Sequence, residues 1–132
     1  MEKILIVDDS IVQAAQLKAI LEDEYDVTIA QRAEEGLRWA SDENFSLILL
    51  DVVMPGMDGF TLLKKLQEEI ITKNIPVILI TSLSSVADEQ RGLVLGAVDY
   101  ITKPFEPLIV KARINTHIKL YHYRRQIEQQ SM

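Results

Sequence analysis

Short apolar runs at positions 4–7, 47–50, 77–80 and, more weakly, 100–102 constrain this chain more than any other feature. Each has strand length. Continuous runs of Ile, Leu and Val, in place of alternation, mark strands buried on both faces, as in a parallel sheet covered by helices. Positions 27–30 form a fifth candidate. Between the runs, Ile11, Ala14, Leu17 and Leu21 recur at helical spacing, as do Phe60, Leu63, Leu66 and Ile70. Ser10 is placed to cap the first of these helices, a second is expected over 33–42, and a fourth between 85 and 95, ending near Gly96. Strand followed by helix, five times over, predicts a doubly wound α/β domain.

From Pro107 onward, helix formers continue without a break to about Gln130, more than one sheet face needs. Val110, Ile114, Ile118 and Tyr121 form one apolar seam. Leu120, Tyr123 and Ile127 begin another on a rotated face. We therefore expect the domain proper over 1–120 and an extension of its last helix over 121–132. That extension reads either as a frayed tail or as a stalk that pairs with a second copy or leads into a further domain.

The length of 132 residues suits one domain with one core. Fourteen Lys and Arg against twenty Asp and Glu give a net charge of −6, the wrong sign for holding nucleic acid by its phosphates. The chain has no cysteine, which excludes disulfide and thiolate chemistry and suits a reducing compartment. No apolar run approaches a bilayer's thickness and the N-terminus lacks a signal-peptide layout, so a cytoplasmic location without membrane contact is expected.

In an open parallel sheet, ligands bind beyond the carboxyl ends of the strands. The residues closing the apolar runs are Asp8 and Asp9, then Asp51, then Thr81 and Ser82, then Lys103 before Pro104. Four strands thus deliver three carboxylates, hydroxyls and an ammonium to one edge. Clustered carboxylates repel unless a cation sits among them, and hard oxygen donors select magnesium or a similar ion. A carboxylate beside such a cation, a lysine and a hydroxyl can attack phosphorus, because phosphoryl transfer asks for positioning and charge stabilisation. Each piece alone has a plainer use: Asp8, Asp9 and Ser10 as helix caps, Thr81 as a cap, Lys103 as a solvated lysine. Asp51 is harder to dismiss, since it ends a buried run where an unpartnered charge is costly. After it, residues 54–59 (Met-Pro-Gly-Met-Asp-Gly) form a turn-rich stretch, and a cis bond at Lys103–Pro104 would aim the ammonium inward. His117 and His122 read as solvated helix residues.

Taken together, Asp8-Asp9, Asp51 with Met54-Pro55 and Asp58-Gly59, Thr81-Ser82, and Lys103-Pro104-Phe105 resemble the receiver domain of bacterial two-component response regulators. The resemblance runs from about residue 3 to 118. It implies a flavodoxin-like, five-stranded parallel sheet of order 2-1-3-4-5 with five helices, the last extended. It further implies that Asp51 takes a phosphoryl group from a histidine kinase or phosphotransfer protein, with Asp8, Asp9, Asp51 and the Val53 carbonyl around Mg2+. Lys103 would pair with phosphoryl oxygens, Thr81 and Ser82 would bind the phosphorylated form, and Tyr100 would follow Thr81 inward. The face made by the fourth helix, fifth strand and fifth helix would then change. Tyr100 reads equally as an edge-strand aromatic half in the core.

Positions that often orient the hydrolytic water in this family carry Val53 and Leu83 here, so slow self-dephosphorylation is expected. Trp39 lies on the second helix, away from the strand ends. A haloacid-dehalogenase-like phosphatase would need an acid two residues past Asp51, where Val53 stands. A flavodoxin-type cofactor site would be ill served by carboxylates. A scaffold without phosphorylation would not need every motif residue. The expected role is a switch and not a turnover enzyme, acting through a homodimer or a downstream domain. The run Arg113 to Leu120 resembles the helix that leads from receivers into cyclic-di-GMP or histidine kinase modules.

Overall fold

The computed structural model describes residues 1–82 and 86–130. Its elements follow the alternating order β1 (Lys3–Val7), α1 (Ile11–Leu21), β2 (Asp26–Ala30), α2 (Ala33–Asp42), β3 (Leu47–Asp51), α3 (Gly59–Glu68), β4 (Val77–Ser82), α4 (Val86–Val94), β5 (Asp99–Lys103) and α5 (Pro107–Gln130). The strands form one parallel sheet in the order β2-β1-β3-β4-β5. This is the doubly wound, flavodoxin-like arrangement expected. The strands run slightly longer than the apolar runs, because backbone pairing extends onto the polar residues at their ends. Among the described residues, no helix is long and apolar enough to cross a membrane.

Two cores explain the unbroken apolarity of the strands. On one face Leu5, Val7, Ile48, Leu50, Val77 and Leu79 pack under α2 and α3, with Phe60, Leu62, Leu63 and Leu66 supplying the cover. On the other, Ile4, Ile6, Leu47, Leu49, Ile78 and Ile80 meet Ala14, Leu17 and Leu21 of α1 and Val110, Ile114 and Ile118 of α5. Adjacent residues of one strand therefore serve opposite cores. Helix α4 buries Gly92 alone among its residues. A Cβ there would come within 1.9 Å of Leu79 Cδ1, so the missing side chain is what lets α4 lie against β4.

Caps and ends follow local chemistry. Ser10 caps α1 by accepting from the Gln13 amide at 3.2 Å, and Asp58 caps α3 by accepting from Thr61 at 2.8 Å. That hydrogen bond holds the Asp58 carboxyl below its ordinary pKa. Gly96, at φ +110°, ends the turn after α4. Two residues depart from the helical spacing. Ile11 is exposed at the start of α1, and Ile70 lies beyond the end of α3, 83% exposed, because α3 stops at Glu68 before its period can carry Ile70 to the core.

The first seam of α5 is buried as expected at Val110, Ile114 and Ile118, with Tyr121 half-buried. Leu120, Tyr123 and Ile127 are exposed. The solvated reading of the histidines is corrected in one case. His117 is withdrawn from solvent and its Nε2 lies 3.0 Å from Asp99 Oδ2. His122 is half-exposed, with Nε2 2.7 Å from Glu2 Oε1. The spacing of α5 signals neither contact, because both partners, Asp99 on β5 and Glu2 ahead of β1, lie outside the helix.

Candidate phosphoacceptor site

Asp8 directly follows β1 and Asp51 ends β3, two adjacent strands, so both carboxyl groups reach the same sheet edge. Both are buried, while Asp9 is exposed beside them. One carboxylate oxygen from each of the three lies within 4.8 Å of the others. The neighbours of this cluster are few and specific. The Ser10 amide donates to Asp8 Oδ1 at 2.9 Å, and the Val53 amide donates to Asp51 Oδ1 at 3.1 Å. Gln13 Nε2 donates to Asp8 Oδ2 and lies 3.3 Å from Asp51 Oδ2, bridging the two acids. Lys103 Nζ is 3.7 Å from Asp51 Oδ1.

Burial pushes the Asp8 carboxyl up to about 6, with the Asp51 charge adding to the effect and the bonds from Ser10 and Gln13 opposing it. Such a site carries more negative charge than its surroundings offset, and a hard cation among the three carboxylates would relieve it. The donor set thus fits a magnesium-like ion: carboxylate oxygens only, with Asp9 open to solvent where water could complete the shell. Val53 is 71% exposed, and its peptide is held beside Asp51 by its own amide.

Thr81 lies on β4, one residue past the partner of Asp51, and is fully buried. Its Oγ1 has no hydrogen-bond partner among the described residues. Burying an unpaired hydroxyl costs free energy, so this oxygen is either poised for an acceptor or a reservoir of strain. Its burial within the strand rules out the capping use. Ser82 is exposed at the end of β4, with its Cα paired to Lys103. The Lys103–Pro104 peptide bond is cis. Tyr100 packs, half-buried, against the same core as Leu79 on edge strand β5. Leu83 lies outside the described residues. Trp39 packs on α2, in a recess that it lines with Glu35, Arg38, Asp42 and Glu43.

One contributor escapes the motif reading, and one that the motif contains has a packing role its turn character does not signal. Gln13 joins Asp8 to Asp51, and the signal available for it was its place in the first turn of α1, one turn beyond the acidic pair. Gly59 reads as a turn residue, yet a Cβ there would stand 2.3 Å from the Asp51 carbonyl oxygen. Its amide donates to the Val52 carbonyl at 3.2 Å. The glycine is what lets α3 start hard against the end of β3.

Comparison with known proteins places this geometry. The response regulator receiver domain family matches residues 4–115. The response regulator PleD of Caulobacter vibrioides is 42% identical over 115 residues, covering 86% of this chain and 25% of that protein. The signal receiver domain of a signal transduction histidine kinase from Syntrophus aciditrophicus is 38% identical with a TM-score of 0.82, covering 90% of this chain and 91% of that one. A CheY-like receiver domain protein from Methanospirillum hungatei is 33% identical with a TM-score of 0.85, covering 94% and 98%. The chain spans between a quarter and about half the length of the curated relatives it matches. By its fold, its family match and the acids at its strand ends, the chain belongs to the response regulator receiver domains, the phosphoacceptor modules of two-component signalling.

Proposed function

We propose that Asp51 is the phosphoacceptor and that the domain is a switch thrown by acyl phosphate at that residue. The observation that carries this reading is the pairing of a buried carboxylate with a lysine at 3.7 Å and a bridging glutamine at 3.3 Å, beside two further acids. An Asp51 oxygen bonds to phosphorus as the N–P bond of a kinase or phosphotransfer histidine breaks, and the imidazole leaves with the bonding electrons. Lys103 offsets charge on the incoming phosphoryl oxygens. The Val53 amide holds the carboxylate in line. Asp8, Asp9, Asp51 and the Val53 carbonyl would hold Mg2+, whose charge would make three adjacent acids tolerable and neutralise the phosphoryl group.

Thr81 supplies the response. Its unpartnered Oγ1 gains an acceptor when a phosphoryl oxygen arrives, and Ser82 lies next to it at the strand end. Tyr100 lies on the same side of the sheet as Thr81 and follows it, altering the face of α4, β5 and α5. Val53 and Leu83 offer no polar group to hydrolytic water, so the phosphoryl group is lost slowly and the domain does not turn over as an enzyme. The domain works in the cytoplasm with no nucleic acid contact of its own. Its signal passes through a homodimer on the α4-β5-α5 face or the α5 extension, or into a downstream module of the cyclic-di-GMP or histidine kinase kind. In support of the latter, one similar structure is the receiver of a histidine kinase.

The test is intact-mass analysis after incubation with Mg2+ and acetyl phosphate, beside Asp51→Asn. One phosphoryl group is expected on the parent chain, absent in the variant and absent without the metal. No adduct while Mg2+ binds would overturn the acceptor assignment for small-molecule donors and leave the scaffold role.

A further inference from the structure

Tyr100 is held by its backbone and its ring through side chains of Asp99 and of α5. Its amide donates to Asp99 Oδ1 at 2.8 Å, and the other oxygen of that carboxylate meets His117 Nε2 at 3.0 Å. Arg113 Nη1 donates to the Tyr100 carbonyl oxygen. The Arg113 guanidinium also lies 5.5 Å from the centre of the Tyr100 ring, within cation–π range. Both backbone polar groups of Tyr100 thus end on side chains. That is how a sheet edge such as β5 can be closed without another strand.

Arg113 and His117 are four residues apart and share one face of α5. Ile114 and Ile118 beside them are buried against the sheet, so this part of the helix is seated firmly in the core. Beyond it, His122 makes a further contact to the body at Glu2, whose other oxygen accepts from Ser46 Oγ. The end of α5 that carries Leu120, Tyr123 and Ile127 therefore follows the clasp around Tyr100 along one continuous helix.

We propose that Arg113 and the Asp99–His117 pair are coupling residues that convert the position of Tyr100 into the tightness with which α5 is held. This rests on the reading of Asp51, Thr81 and Tyr100 given above. A ring drawn toward Thr81 leaves the Arg113 guanidinium, so the clasp loses its ring contact and keeps only the bonds to the Tyr100 carbonyl and amide. The clasp loosens, and with it the turns of α5 around His117 and beyond. Coupling between two sites is reciprocal, so removing the clasp also removes a cost that the activated state would otherwise meet.

Hydrogen exchange of the full chain, read by mass spectrometry with Mg2+ and with or without beryllofluoride, tests this. Peptides over 47–58 report the site, and peptides over 116–127 report the helix. In the parent, both respond to the analogue, the helix exchanging about five-fold faster or more, the lower end of ordinary coupling. Arg113→Ala and His117→Ala exchange faster in 116–127 without the analogue and gain nothing further from it, while 47–58 responds as in the parent. His117→Gln, which keeps a donor for Asp99, retains the parent's response. A full gain in both alanine variants would overturn the coupling, since a purely structural role raises the baseline and leaves the increment. A parent whose site responds while its helix does not also overturns it. A parent whose site does not respond overturns the phosphoacceptor reading and takes the coupling with it.

Discussion

Lys103 Nζ and Asp51 Oδ1 stand 3.7 Å apart at the ends of two strands that are not neighbours, β5 and β3, across the end of β4. The Asp51 side chain is 4% exposed and that of Lys103 34%, so the ammonium reaches in from solvent toward a buried carboxylate. This approach gives the site a cation that does not depend on metal.

Removing that ammonium separates charge stabilisation from metal binding. Lys103→Ala is expected to slow phosphorylation by acetyl phosphate by about 10²-fold, the cost typical of losing one preorganised charge-stabilising group. Mg2+ affinity should stay the same or rise, since a nearby positive charge is gone. Initial rates by intact mass, with Mg2+ titrated separately, decide it. Equal losses in both would show Lys103 to act only through the metal site.

Val53 fills a solvent-facing position, 71% exposed, directly after a buried pair. Val53→Asn should leave stability within about 0.5 kcal/mol, as surface changes do. It should shorten the phosphoryl lifetime several-fold by offering a group that can orient water. The decay of the adduct after removal of the donor measures this, and an unchanged lifetime would refute the assignment.

The architecture was legible because the strands advertise themselves. Residues such as Leu47 and Ile48 serve opposite cores, which forces apolarity at consecutive positions, and the polar residue that ends each run has to lie at the sheet edge. Asp51, Thr81 and Lys103 could be found from this rule alone. Gln13 could not, because its role depends on the angle at which α1 leaves β1. Nor could the His117–Asp99 and His122–Glu2 contacts, which join residues 18 and 120 positions apart. Ile11 and Ile70 show the converse limit: helical spacing identifies a face but not where the core stops covering it.

Gly59 is a test of how tightly the fold holds the acceptor. The Cβ of Gly59→Ala would stand 2.3 Å from the Asp51 backbone carbonyl oxygen, which has no flexible end to move aside. A loss of about 1–3 kcal/mol is expected, in the range of overpacked cores, together with slower phosphorylation as β3 and α3 separate. Gly56→Ala is the control. It meets nothing within 4 Å and bears only the strain of φ +77°. Urea denaturation and adduct formation on both variants distinguish packing at the site from backbone strain in the loop.

The C-terminal part of α5 exposes Leu120 (49%), Tyr123 (64%) and Ile127 (64%) at spacings of three and four, the pattern of a helix that pairs with another. Sedimentation of the 132-residue chain, with and without beryllofluoride, should show self-association, and Ile127→Glu should abolish it. A monomer under both conditions would remove the homodimer and favour a downstream domain as the reader of the signal.

Asp8 gives the site a pH signature when metal is stripped by chelator. Its carboxyl titrates at about 6 in the folded chain against an ordinary 3.8, because burial disfavours the charged form. The native state therefore binds more protons than the unfolded chain between those values, and this group's contribution to stability falls as pH rises through that window. Metal-free protein should lose stability from pH 4 to above 6 through Asp8, and Asp8→Asn should remove that component and melt several degrees higher than the parent at pH 8. The difference between the two melting profiles therefore reports Asp8 together with the Asp51 charge that acts on it. Mg2+ requires the ionised form, so its affinity for the parent should weaken as pH drops below 6. If the two melting profiles run parallel from pH 4 to 8, Asp8 is not held protonated by its burial, and the relief of its charge is not what draws a cation to the site.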